Sequence, residues 1–163
     1  MISIFKKHQY NMYNILLILS RNIFFYKNLK LSDTFETRIY LMFFHYSVIL
    51  FITKNRKIKP DQESYNNLFF CLENNLRELG FGDVSVNKKM KDLNKIFYDI
   101  LIKLSEKNTV FNISKTIIYK YFDVLKNNDT KREEFELYFR NFYNFCFELP
   151  HNNMLKEVHK FKY

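Results

Sequence analysis

Apolar residues recur at three- and four-residue intervals along almost the whole chain, and no run alternates apolar and polar positions between turn signals as a half-buried strand does. The pattern predicts an all-α protein, a compact bundle of about six helices. Between Asn11 and Tyr26, Met12, Ile15, Leu16 and Leu19 form one stripe, and Phe24, Phe25 and Tyr26 close a second short turn. Asp33 followed by Glu36 has capping-box spacing and predicts a helix from Thr34 to about Thr53, apolar on nearly every side and therefore central. The stretch "KNRKIKP" reads as a basic, solvated link ending at Pro60, and Asp61 caps the next helix. There Tyr65, Leu68, Phe69, Leu72, Leu76 and Leu79 fall at offsets of 3, 4, 7, 11 and 14, one amphipathic stripe. Met90, Leu93, Ile96, Phe97, Ile100, Leu101 and Leu104 repeat it. Ser114 caps a fifth helix carrying Ile117, Ile118, Tyr121, Phe122 and Leu125. Thr130 with Glu133 opens a sixth, from Phe135 to Leu149, that stops at Pro150. Residues 151–163 read as the end of a single domain spanning 1–163, either a short docked helix or a loosely docked, fraying tail.

The longest apolar run, Ile39–Ile52, has 14 residues and includes His45. A bilayer span takes about 20, so the run reads as a buried core helix. Composition refines this picture. With 47% hydrophobic and 26% charged residues the chain has enough apolar material for a core. It lacks Ala and Trp but is 19% Phe and Tyr, the bias of A+T-rich coding. Its helices therefore carry weak intrinsic propensity and must depend on packing against one another. The same bias raises Lys, which weakens the net charge of +9 as a pointer to an anionic partner. The first 32 residues contain no acid but carry Lys6, Lys7, Arg21, Lys27 and Lys30, as a membrane-surface segment would. Cys71 and Cys146 stand far apart and have no metal-ligand spacing, which fits two reduced thiols.

The chain has only two glycines, Gly80 and Gly82, separated by a single residue. Gly80 falls just past a helix, where a left-handed backbone is needed, and Gly82 lets the chain reverse before Asp83 or Ser85 caps the following helix. The result is a tight helical hairpin. A phosphate-cradling loop is excluded by context, since no strand precedes it and no G-K-[ST] ending follows.

The segment "LENNLRELGFGDVSVNKKMKDLNKIFYDIL" resembles the signature of the ubiquinol-cytochrome c chaperone family, assembly factors of the cytochrome bc1 complex in mitochondria and alphaproteobacteria. The matching residues are Leu76, Arg77, Glu78, Gly80, Gly82, Asp83, Val86, Lys88, Lys91, Phe97 and Tyr98. Upstream, "DTFETRIYLMFFHYSVIL" is similar to a second family motif at Asp33, Thr34, Arg38, Leu41 and His45. The likeness runs from about Asn11 to Leu104, and it departs at Asp99 and at Ile100, where the family carries Arg. It implies a non-enzymatic helical chaperone that binds newly made cytochrome b or another bc1 subunit. It also implies action with a small partner protein near the ribosome and the inner membrane, in the bacterial cytoplasm or on the mitochondrial matrix side. The sequence looks like a bacterial member.

Residue chemistry adds two expectations. His45, inside an apolar helix, reads as a core histidine bonded to a carbonyl or carboxylate rather than as a ligand, and nothing predicts a cofactor, a metal or a catalytic set. Arg38 with Asp33, and Arg77 with Glu78 and Asp83, are expected to pair and fix the hairpin's surroundings. Two basic patches, Lys54, Arg56, Lys57 and Lys59, and Lys88, Lys89 and Lys91, are candidate contacts for an anionic partner. The second lies near a helix start, where the macrodipole disfavours cations. Besides the chaperone reading, a basic RNA- or ribosome-binding module and a membrane-surface protein remain open; DNA is not expected.

Overall fold

The computed structural model describes residues 11–105 and 111–163; Lys6, Lys7 and His8 lie outside them. The regular structure of the described residues is all helical, with no strand among them, as the periodicity predicts. The helices are α1 (Met12–Ser20), α2 (Ile23–Lys27), α3 (Phe35–Asn55), α4 (Gln62–Glu78), α5 (Asp83–Ser105), α6 (Lys115–Tyr121), α7 (Asp129–Glu148) and α8 (His151–Glu157), with 3-10 turns at Asp123–Leu125 and Val158–Lys160.

Helix α3 is the spine. Every residue from Leu41 to Ile49 is buried, so α3 must be covered on all sides, and it packs against α1, α5 and α7. By length and composition α3 could cross a membrane, with mean hydropathy 1.3, a property the 14-residue run alone understated. In the fold 72% of that stretch is buried, as in the core helix of a bundle. Phe43, Phe69, Phe97, Tyr46 and Tyr65 interlock between α3 and the α4–α5 pair, with ring centroids 4.6 to 5.9 Å apart. Phe44 meets Phe135 and Phe139 of α7 on the opposite side. In the tail, Met154 and Val158 are buried, and Phe161 and Tyr163 pack edge-on against Tyr138.

Local caps differ from expectation where a side chain has a stronger partner. Asp33 does not cap α3, because both its oxygens accept from Arg38, at 2.6 and 2.9 Å. Thr34 takes the cap instead, accepting from Thr37 N–H at 3.2 Å. The α7 cap is Asn128, not Thr130, with its Oδ1 accepting from Lys131 N–H at 3.0 Å. Asp61 and Ser114 cap α4 and α6 as read from the sequence.

The hairpin forms as the glycines predict, but only one of them is required. Gly80 has φ +94°, Gly80 N–H donates to Arg77 O at 3.0 Å, and Phe81 N–H donates to Leu76 O at 3.3 Å. This pair of bonds is a Schellman cap, which closes α4 through a left-handed residue. Gly82 is not left-handed, and a Cβ there would meet nothing within 4 Å. Its carbonyl accepts from Val86 N–H at 2.9 Å, so α5 begins directly after it and Asp83 is the first helical residue rather than the cap. Two further left-handed positions carry Lys30 (φ 59°) and Lys57 (φ 56°), and Lys57 closes α3 by the same two-bond pattern.

Gly80→Ala is expected to lower stability by about 1–2 kcal/mol, the cost of a Cβ in the left-handed region, whereas Gly82→Ala changes it by less than about 0.5 kcal/mol. Urea denaturation of the two variants checks this, and equal losses would contradict the cap assignment.

Candidate functional site

The hairpin turn holds α4 and α5 together at Gly80, and their far ends meet the C-terminal half of α3. At that open end lies a cleft of about 470 Å³ lined by Tyr46, Leu50 and Phe51 of α3, Ile58, Pro60 and Tyr65, and Phe97, Tyr98, Leu101 and Ile102 of α5. Its polar lining is Lys54, Asp61 and Gln62. Asp61 is committed to the α4 cap: it accepts from Glu63 N–H, Ser64 N–H and the Ser64 hydroxyl, the last at 2.7 Å, and that hydroxyl leads the bonds that hold its carboxyl below the usual range. A neighbouring cleft of about 390 Å³ shares the Tyr46, Leu50, Pro60 and Asp61 wall and runs to Met154, Leu155 and Lys156 of α8. Tyr65 spans the first cleft's edge, its hydroxyl donating to Asn94 Oδ1 at 2.6 Å. Burial and the Tyr98 hydroxyl push the Tyr65 phenol up to about 12, so it stays neutral at any ordinary pH.

The family-motif residues divide by role. Phe97 is fully buried in the aromatic cluster, while its neighbour Tyr98 is 49% exposed on the cleft rim. Arg38 and Asp33 form the fork described above, and Arg38 holds the Asp33 carboxyl below its usual range. Arg77 bridges the hairpin by pairing with Asp83 and, at 2.9 Å, with Glu73. Glu78, expected in that cluster, is exposed and takes no part in it. Asp99, where the sequence departs from the family motif, accepts from Lys120 Nζ at 2.7 Å and Tyr121 O–H at 2.5 Å; burial raises its pKa but these bonds outweigh it and hold it low. Ile100 is fully buried.

His45 is a cross-brace of the core. Nδ1 lies 2.6 Å from Leu41 O and, since a carbonyl only accepts, carries the proton. Nε2, 2.8 Å away, therefore accepts from the Tyr138 hydroxyl of α7. Complete burial lowers its pKa to about 3. Both ring nitrogens are engaged, and among the described residues no group of three His, Cys, Asp or Glu converges to hold a metal.

The basic patches are less uniform than the sequence suggests. Arg56 donates to Phe147 O at 2.6 Å and sits over the Phe147 ring, Lys57 occupies the helix cap, and Lys54 alone of that set lines the 470 Å³ cleft; Lys59 lines its neighbour. Lys89 stacks on Phe81 at 4.5 Å. Because α5 starts at Asp83, Lys88, Lys89 and Lys91 stand beyond its first turn, and the macrodipole argument against cations there does not apply. Sequence reasoning missed Arg132, 4% exposed and paired with Asp129, Glu133 and Glu136, although acids at positions −3, +1 and +4 were a visible signal. It also placed Leu79 in the core, where the turn leaves it 58% exposed.

The described residues thus form a helical bundle with an apolar cleft, a sparse polar rim and a buried histidine used in packing. The family model for the Ubiquinol-cytochrome C chaperone matches residues 27–110, and the chain belongs to that family. The matched stretch contains every residue that lines the 470 Å³ cleft. Neither curated proteins nor solved structures give a match.

The depressed His45 pKa gives stability that is full above the unfolded value of about 6.5 and lost as pH falls towards about 3. The low Asp33, Asp61 and Asp99 carboxyls add losses only below about 4. Between pH 7 and 4.5 unfolding free energy should therefore drop by about 2–3 kcal/mol, and His45→Gln should flatten that drop. Urea titrations across this window check it, with the His45 ring resonance staying that of neutral imidazole at pH 5.

Proposed function

We propose that this protein is a non-enzymatic holding chaperone that receives an apolar helix of newly made cytochrome b in the α3–α4–α5 cleft and releases it to the growing bc1 complex. The observation that carries the reading is an apolar, aromatic cleft contained within the family-matched segment. Its volume falls in the roughly 300–1,000 Å³ range of specific binding sites, enough for a few side chains of a helix laid in a groove. Two or three buried Leu- or Phe-sized anchors contribute about 4–8 kcal/mol before association costs, a hold strong enough to shield a segment and weak enough to release it. A carboxylate-poor, hydrocarbon-lined cleft suits transmembrane sequence, which has few polar groups to satisfy. The reading places the protein at the cytoplasmic face of a bacterial inner membrane or its mitochondrial matrix counterpart.

Tyr98→Glu puts a charge on the exposed rim without emptying the core. In the native host it should reduce spectroscopically measured cytochrome b at least tenfold relative to other cytochromes, as should Leu101→Ser, while both proteins keep the helical circular dichroism of the parent. Unchanged cytochrome b with both variants present at parental level would contradict the assignment of the cleft. Capture of an apolar client segment should persist in 0.5 M salt, where an RNA complex would dissociate.

A further inference from the structure

Along α5, the buried residues Val86, Leu93, Phe97, Ile100 and Leu104 occupy one face. On the opposite face Val84, Lys88, Lys91, Lys95 and Tyr98 fall within an arc of about 80° at 100° per residue, over about 20 Å of helix. All five are exposed. Val84, at 85%, is the most exposed large hydrophobic residue among the described residues, and beside it the hairpin presents Leu79 at 58% and Phe81 at 38%. None of the three lysines forms an ion pair among the described residues. Of the acids on α5, Asp83 is held by Arg77 and Asp99 by Lys120 and Tyr121, which leaves Asp92 at the edge of the stripe.

We infer that α5 lays this outer face on an anionic bilayer, with Lys88, Lys91 and Lys95 on the lipid phosphates, the Val84–Phe81–Leu79 tip in the headgroup boundary at one end and Tyr98 at the other. Unpaired lysines in a row supply charge complementarity to acidic headgroups. The apolar tip distinguishes a bilayer from RNA, whose backbone offers nothing for Val84 to enter, and an aromatic hydroxyl at the other end is a common interfacial anchor. The geometry also sets Tyr98 on the cleft rim, so a protein resting on this face holds its cleft mouth beside the membrane surface. The inference goes beyond the client reading and shares only Tyr98 with it.

The test is sedimentation of the full chain with vesicles of equal parts phosphatidylglycerol and phosphatidylcholine, against phosphatidylcholine alone. Each lysine near an anionic surface is worth about fivefold, so K88Q/K91Q/K95Q should lower partitioning about 100-fold, and Val84→Ser should lower it several-fold. Circular dichroism verifies that the exposed substitutions keep the fold. Parental binding by the triple variant, equal binding to neutral vesicles, or tighter binding to single-stranded RNA with no effect of Val84→Ser would each overturn the inference; client capture by the triple variant in lipid-free solution reports separately on the cleft.

Discussion

Burial of α3 on all sides is the constraint from which the rest of the architecture follows. A helix with nine consecutive buried residues cannot lie on a surface, so the chain has to wrap elements around it: α1 and the α4–α5 hairpin on some faces, α7 on another. Hydrophobic burial supplies the drive but not the register, because Phe, Ile and Leu pack in many ways. The polar contacts select among them. His45 ties α3 to Tyr138, 93 residues away, and a one-position slip of either helix would leave a buried ring nitrogen without a partner. The exposed forks of Arg38 and Arg77 orient the ends of α3 and the hairpin and add little to stability.

The cleft is a consequence of the same wrapping. The hairpin is closed at Gly80, where a left-handed residue turns α4 sharply into α5, and its open end must accommodate the Lys57–Pro60 link that returns the chain from α3. Ile58 and Pro60 of that link line the cleft together with Tyr46, Phe97 and Leu101. Among the described residues an apolar depression is left at this end, with hydrocarbon on display. The chaperone family's matched stretch contains this unit, whereas α7 covers another side of the spine and α8 borders the neighbouring cleft. The outer face of α5 gives the unit a second exposed surface, one marked by lysines instead of hydrocarbon.

Much of this was legible in the sequence, and the misses have physical causes. The helices, the central place of α3 and the hairpin follow from periodicity and from glycine at the one turn where a Cβ is costly. Gly82 looked equally necessary because sequence carries no φ, and Lys30 and Lys57 show the converse, left-handed residues that nothing in the sequence announces. Asp33 and Thr130 were plausible caps, but a cap is a competition, won by Arg38 for the first and by Asn128 for the second position. The cleft was not legible at all, since its walls come from positions 46 to 65 and 97 to 102, which only the tertiary fold brings together. Neither was the outer stripe of α5 separable from a general excess of lysine until the start of the helix fixed which residues share a face.

The central claim is that the open end of the α4–α5 hairpin, and not the α7 surface, meets the client. A photo-crosslinking residue placed at Tyr98, 49% exposed on the rim, or at Leu137, 44% exposed on α7, gives two probes of similar accessibility. Irradiation in the native host followed by mass spectrometry of the adducts should recover cytochrome b from the Tyr98 position and not from Leu137. Recovery from Leu137 alone, or of no bc1 subunit from either position, would contradict the account.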